Sequence, residues 1–167
     1  MATPDHVLSV NVASRPNWDD RNTSDDLFHD PFVLFGFLAN CTRNIEFSTQ
    51  VLILAQRQAA LVAKQAASLY VLCGGRFRFG VGAGWNLVEF VGLNENFHNR
   101  GRRLEEQVAV MQALWVESHV TFAGKYHRIE DAGINPLPPR RNIPIWFGGH
   151  ADVTMQRVVK WGDGWCL

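Results

Sequence analysis

An α/β fold with parallel strands is predicted by three features of this sequence. The first is Arg76-Phe-Arg-Phe-Gly-Val-Gly-Ala-Gly-Trp85. Phe77, Phe79 and Val81 alternate as in a strand, and glycines follow at Gly80, Gly82 and Gly84. The second is Ile143-Pro-Ile-Trp-Phe-Gly-Gly-His150, strand-like again, which stops at Gly148-Gly149 and runs into a helical segment. Strand ends without a Cβ let backbone approach a flat or anionic group closely. The third is the alternation of such strands with helical stretches of 10–15 residues, which implies parallel pairing and right-handed crossovers.

The elements follow in order. Residues 1–29 lack periodicity and read as a long loop, with the first six as the tail of a strand. Asp30-Pro31 has the pattern of an N-cap followed by proline at the first helical position. Apolar Phe32 to Leu38 then make a short buried helix ending near Cys41, and Thr42-Arg-Asn44 turns the chain. Ile45 to Leu54 reads as one strand with a polar interruption at Ser48-Thr49-Gln50. Ala59 to Leu72 is helical and alanine-rich, and Cys73-Gly74-Gly75 stops it. The next helix runs from about Arg100 to Trp115, with Leu104, Val108, Met111 and Trp115 as its apolar stripe. Arg100, Arg102 and Arg103 read as a solvated helix start paired with Glu105 and Glu106. Val120-Thr-Phe122 and Tyr126-His-Arg-Ile129 form a hairpin. Pro136, Pro138 and Pro139 mark an extended connector. After the Ile143 strand, Asp152 caps a helix to Trp161. Trp165-Cys-Leu167 begins another strand.

Composition narrows the function classes. The chain has 167 residues, 47% hydrophobic, enough for one ordinary core. Its 16 basic and 16 acidic residues balance, so nothing steers it toward nucleic acid or an anionic membrane. No apolar run approaches the ~18 residues of a membrane span. The N-terminal residues lack the regions of a signal peptide. Cys41, Cys73 and Cys166 are scattered and odd in number, fitting no disulfide framework or metal site; a cytoplasmic location is expected. His98, His119 and His127 lack metal-ligand spacing.

Two architectures remain on these residues, a doubly wound open sheet and a (β/α) barrel. The dinucleotide-binding version of the first is disfavoured. The glycines are spaced G-x-G-x-G rather than G-x-G-x-x-G. The acids about 20 residues on, Glu105 and Glu106, fall inside a helix instead of ending a second strand.

The run from Ile45 to Asn86, IEFSTQVLILAQRQAALVAKQAASLYVLCGGRFRFGVGAGWN, resembles the luciferase-like monooxygenase superfamily, most closely its branch using the deazaflavin coenzyme F420. FHNRGRRLEEQ at 97–107, VTFAGKYHRI at 120–129, PIWFGGH from Pro144 and GDGW from Gly162 extend the resemblance in order. It implies an α/β fold that is a partial TIM-type (β/α) barrel of the bacterial-luciferase type. Complete barrels run to about 250 residues. By this likeness the first strand and the last two βα units have no counterpart between Met1 and Leu167. It further implies one incomplete barrel domain over 1–167, a small-molecule substrate and a homo-oligomer. The implied activity is hydride transfer between F420 and an organic substrate. An FMN-dependent monooxygenase and a non-catalytic, flavin-binding or structural half-barrel are the alternatives.

The resemblance also assigns site residues. His6 matches a catalytic histidine beside the reactive ring face, for proton transfer or substrate orientation, with Asp5 before it in the cofactor site. It places a non-proline cis peptide at Thr49–Gln50, forming a bulge behind the cofactor ring. Gly82, Gly84 and Trp85 are implied to line the site, although close strand–helix packing explains the glycines equally. Gly148, Gly149 and His150 precede a helix whose first amides can hold a phosphate, with Thr154 adding a hydroxyl; a plain turn is the alternative. Asp163 reads as a turn residue, and Ala55 and Ala59 stand where the family usually carries proline.

Overall fold

In the computed structural model, which describes residues 1–19 and 21–166, the parallel sheet forms as expected. Its strands are β1 (Ala2–Thr3), β2 (Phe47–Thr49), β3 (Leu52–Ile53), β4 (Phe77–Gly82), β7 (Ile145–Gly148) and β8 (Gly164–Cys166). Their spatial order is β1-β2-β4-β7-β8, with β3 pairing β4 beyond β2. Every pairing in this sheet is parallel. β5 (Val120–Ala123) and β6 (Arg128–Ala132) make the separate antiparallel hairpin. Leu167 of the expected last strand lies outside the described residues.

The helices are α1 (Pro31–Cys41), α2 (Ala59–Leu72), α3 (Leu87–Gly92), α4 (Arg100–Val116) and α5 (Asp152–Trp161). The start of α1 is as read: the Asp30 carboxylate accepts from the Phe32 and Val33 amides at 2.9 and 3.1 Å. The core lies between the sheet and helices α1, α2 and α4. Phe77, Phe79 and Val81 of β4 and Ile145 and Phe147 of β7 face those helices. The α4 stripe of Leu104, Val108, Met111 and Trp115 meets them there. The indole N–H of Trp115 donates to the Ala63 carbonyl at 3.0 Å, tying α4 to α2 without leaving a buried polar group unpaired.

Three expectations are corrected. The Ile45–Leu54 strand is two short strands separated by a one-residue insertion. Phe47 pairs with Phe77 and Leu52 with Val81, so the β2–β3 side carries one more residue than its partner. The polar triplet Ser48-Thr49-Gln50 marks that bulge. Ile45 is exposed, and Leu54 enters a 3₁₀ turn. The cis peptide lies at Gln50–Val51, one residue beyond the implied Thr49–Gln50. The arginines at the start of α4 do not pair with the acids that follow them. Arg103 is buried and pairs with Glu95, while Glu105 accepts from Arg157 at 3.0 Å.

Glu106 instead anchors the hairpin. Its carboxylate accepts from the backbone amides of Lys125, Tyr126 and His127 at 2.8, 2.7 and 2.7 Å. The His127 ring adds a contact at 2.9 Å. Burial pushes the Glu106 carboxyl up, but the amide and His127 hydrogen bonds outweigh it and hold its pKa below the ordinary 4.5. A carboxyl whose pKa is lower folded than unfolded stabilises the fold above the unfolded value and loses that contribution as the folded form is protonated. Denaturant unfolding at stepped pH should therefore show stability falling below about pH 4.5. Glu106→Gln should remove part of that dependence; an unchanged slope in the variant would contradict the anchor role.

Candidate functional site

Parallel strands bring their C-terminal ends to one edge of a sheet, where ligands of α/β proteins bind. Here that edge gathers the Asp5-His6 segment after β1, Gln50-Val51 of the bulge, Gly82–Trp85 after β4 and Gly148–His150 after β7. Between the ends of β3, β4 and β7 and the first turns of α4 and α5 lies a cleft of about 600 Å³. Gln50, Val51, Gly82, Gly84, Trp85, Gly148, Gly149 and His150 all line it, as do Arg100, Thr154 and Arg157. Among the described residues lining it, the charged side chains are Arg100 and Arg157, and none is a carboxylate.

The glycines at the strand ends serve a packing purpose first. An added Cβ at Gly148 would lie 2.5 Å from Val51 Cγ1, and one at Gly82 would overlap Val51 Cγ2. The two strand ends are bare so that the Val51 isopropyl group can sit between them as the cleft floor. Gly84 has φ +76°, a conformation few L side chains adopt, and a Cβ there would lie 2.5 Å from Ile53. Gly149 has φ +128°, with the Thr154 hydroxyl 3.0 Å from where its Cβ would be.

The α5 end of the cleft gathers hydrogen-bond donors and positive charge. Ala151 occupies the N-cap position and no side chain caps the helix, so Asp152, read as the cap, sits exposed in the first turn instead. The first amides of α5 are left without a side-chain acceptor. Arg157 and Thr154, three residues apart on one helical face, are both buried against this opening. The Arg157 Nε donates to Glu105 at 3.0 Å, and Gly101 leaves room for its Nη2, which a Cβ there would approach to 2.7 Å. Arg100 donates from Nε to the Gly84 carbonyl at 3.0 Å and stacks 3.7 Å over the Phe97 ring. Sequence reading missed Arg157; the spacing Thr154-x-x-Arg157 was its available signal. Gly162-Asp-Gly164 is more than a turn, because Asp163 accepts from the Ile145 amide at 2.9 Å and registers β8 beside β7.

Two expected site residues lie behind the cleft, not on it. Asp5 is 2% exposed. It accepts from the Ile53 amide at 3.0 Å and from Arg57 at 2.6 and 3.2 Å, so its oxygens are spent on holding the bulge. Burial works against the Arg57 charge, but Asp5 and Asp30 outweigh it and raise the guanidinium pKa. Thr49 is wholly buried and donates to the Gly80 carbonyl at 2.7 Å.

His6 stands beside the cleft through aromatic contacts. Its ring lies edge-on to Trp85 at 6.2 Å and to Phe28 at 4.8 Å. Trp85 is 41% exposed and also packs against Trp18 at 5.7 Å, with Arg21 over its ring at 4.8 Å. Behind His6, Glu89 of α3 is buried. Its Oε2 lies 3.0 Å from His6 Nδ1, and its Oε1 accepts from the Val7 and Leu8 amides at 2.8 and 3.3 Å. Burial pushes this carboxyl up, and the His6 and amide hydrogen bonds pull it further down, leaving its pKa below the ordinary 4.5.

No three His, Cys, Asp or Glu side chains among the described residues cluster as a metal site. No helix among the described residues is long and apolar enough to cross a membrane.

Comparison with known proteins adds the lineage. The chain is 36% identical over 138 residues to an uncharacterised protein of Mycobacterium tuberculosis (strain ATCC 25618 / H37Rv), covering 83% of this chain and 47% of the relative. It is 34% identical over 175 residues to the F420-dependent glucose-6-phosphate dehydrogenase of Segniliparus rotundus, covering 96% of this chain and 52% of that one. Two solved structures share the fold. The monooxygenase RslO1 from Streptomyces bottropensis superposes with TM-score 0.81 at 20% identity, over 99% of this chain and 47% of its own. An F420-dependent secondary alcohol dehydrogenase, solved with an F420-acetone adduct, gives TM-score 0.78 at 24% identity, over 98% of this chain and 47% of its own. The chain thus spans about half the length of these relatives. F420 is named for one relative, and a riboflavin lyase of the same fold, 16% identical, was solved with modified FMN. The luciferase-like monooxygenase family matches residues 12–167, and the chain belongs to that family.

Proposed function

We propose that this chain carries the cofactor-binding part of a luciferase-like oxidoreductase and that its cofactor is F420. The observation supporting this most is the carboxylate-free cleft at the strand ends, with Arg157, Arg100 and the uncapped start of α5 at one end. Its volume, about 600 Å³, is within the range of small-molecule and cofactor sites. Val51, Gly82 and Gly84 would face the ring, while Gly149, His150, Thr154 and Arg157 would hold the phosphate-bearing tail. When bound, the deazaflavin would supply hydride chemistry that no protein side chain provides. The chain's own residues would orient it and an organic substrate, exclude water with Trp85 and Ile53, and present His6 for proton transfer. Similarity to the F420-dependent relative across 96% of this chain supports F420 over FMN.

Fluorescence titration with F420 and FMN tests the choice. F420 is expected to bind more tightly. Micromolar FMN affinity without F420 binding would favour the FMN-dependent monooxygenase reading, and binding of neither would favour a non-catalytic half-barrel.

A further inference from the structure

We infer that Glu89 is a positioning residue that selects the tautomer of His6, fixing the neutral ring with its proton on Nδ1. The inference rests on the reading of His6 as the group that faces the reaction. It comes from how the two carboxylate oxygens of Glu89 are divided. Oε1 is committed to two backbone donors, the amides of Val7 and Leu8 at 2.8 and 3.3 Å. Oε2 lies 3.0 Å from His6 Nδ1. Glu89 is 1% exposed, so water cannot replace either contact.

An ionised carboxylate only accepts hydrogen bonds. Its neighbour at 3.0 Å must therefore be a donor, which puts the ring proton on Nδ1. No group among the described residues hydrogen-bonds to Nε2, which keeps its lone pair for a ligand. The ring edge is steadied by Phe28 and Trp85, and Trp85 lines the cleft. The glutamate comes from α3, whose first turn is set by Asn86 accepting from the Val88 amide at 2.9 Å.

The division of oxygens also predicts the effect of a near-isosteric change. In Glu89→Gln, the amides of Val7 and Leu8 still require an acceptor, so the carboxamide oxygen takes the Oε1 position. The NH₂ group then faces His6 Nδ1. Nδ1 must become an acceptor, and the ring proton moves to Nε2. The substitution inverts the tautomer rather than merely loosening the ring.

The test is ¹⁵N NMR of the full chain labelled at histidine, at a pH where the imidazole is neutral, with His6→Asn assigning the signals. In the native chain Nδ1 is expected to be the protonated nitrogen and Nε2 the unprotonated one. Glu89→Gln should reverse the two. A native neutral ring protonated at Nε2 would overturn the inference, and that measurement needs no variant. Retention of the native tautomer in a folded Glu89→Gln chain would overturn it as well. Turnover separates this from the reading of His6. If Glu89→Gln and His6→Asn each lower hydride transfer by about 100-fold, both stand. If the tautomer inverts and neither variant changes turnover, Glu89 still sets the ring, and His6 is not the reacting group.

Discussion

Arg57→Ala is expected to lower unfolding stability by about 3–5 kcal/mol, the cost of leaving one partner of a buried ion pair unpaired. The Asp5 side chain that the substitution strands is 1% exposed and, among the described residues, keeps only the Ile53 amide as a donor. Arg57 also bridges to Asp30, the cap of α1, at 3.1 Å, and its carbonyl accepts from Gln107 of α4 at 2.8 Å. One residue thus links the end of β1, the bulge, α1 and α4. Denaturant unfolding of Arg57→Ala, of Asp5→Asn and of the double variant measures the coupling. The double variant should lose less than the sum of the two, because the stranded charge is then absent. Strict additivity would show that the pair contributes little, and that Asp5 is available for another role.

Arg157→Ala is expected to weaken binding of F420 by 10-fold or more while barely changing affinity for the same ring system without its phosphate. A charge-assisted contact to phosphate contributes about 1.5–3 kcal/mol, and 1.4 kcal/mol is a factor of ten. The guanidinium is buried, so salt screens it little. Gly149→Leu should act in the same direction by crowding the Thr154 hydroxyl and straining a residue at φ +128°. Equal losses for phosphorylated and phosphate-free forms, followed by fluorescence, would mean that the α5 end is not the phosphate cradle.

What the sequence revealed was mostly local. The α4 stripe at Leu104, Val108, Met111 and Trp115 follows from helical periodicity, and each residue lies in the core. Asp30-Pro31 and the glycine strand ends are short-range signals: the first caps α1, and the second line the cleft. Other features depended on partners distant in the chain. The bulge at Gln50 exists only relative to β4, so a reading of residues 45–54 alone gave one continuous strand. Asp5 is held by Arg57, 52 residues on, a partner that no local pattern announces. Glu89 lies 83 residues from His6, and no spacing rule connects them. The short helix α3 was missed because Leu87 and Val91 are exposed and give it no apolar stripe; Asn86, its N-cap, was the legible clue. Likewise Glu105 and Glu106 have neighbours in sequence that suggest i,i+4 pairs, yet one accepts from Arg157 and the other from the hairpin tip.

A second cleft of about 580 Å³ opens between the start of α2, the loop at 94–99 and the hairpin at 126–129. Its cations are matched by acids: Arg103 by Glu95, His127 by Glu106, Arg128 by Glu130 and Arg57 by Asp5 and Asp30. Similar size makes the two clefts a direct test. Backbone hydrogen exchange of the native chain with and without F420 locates the cofactor. Protection is expected at the amides of 82–85 and 148–154, with the hairpin unchanged. Protection at 94–99 and 126–129 with none at 148–154 would contradict the account.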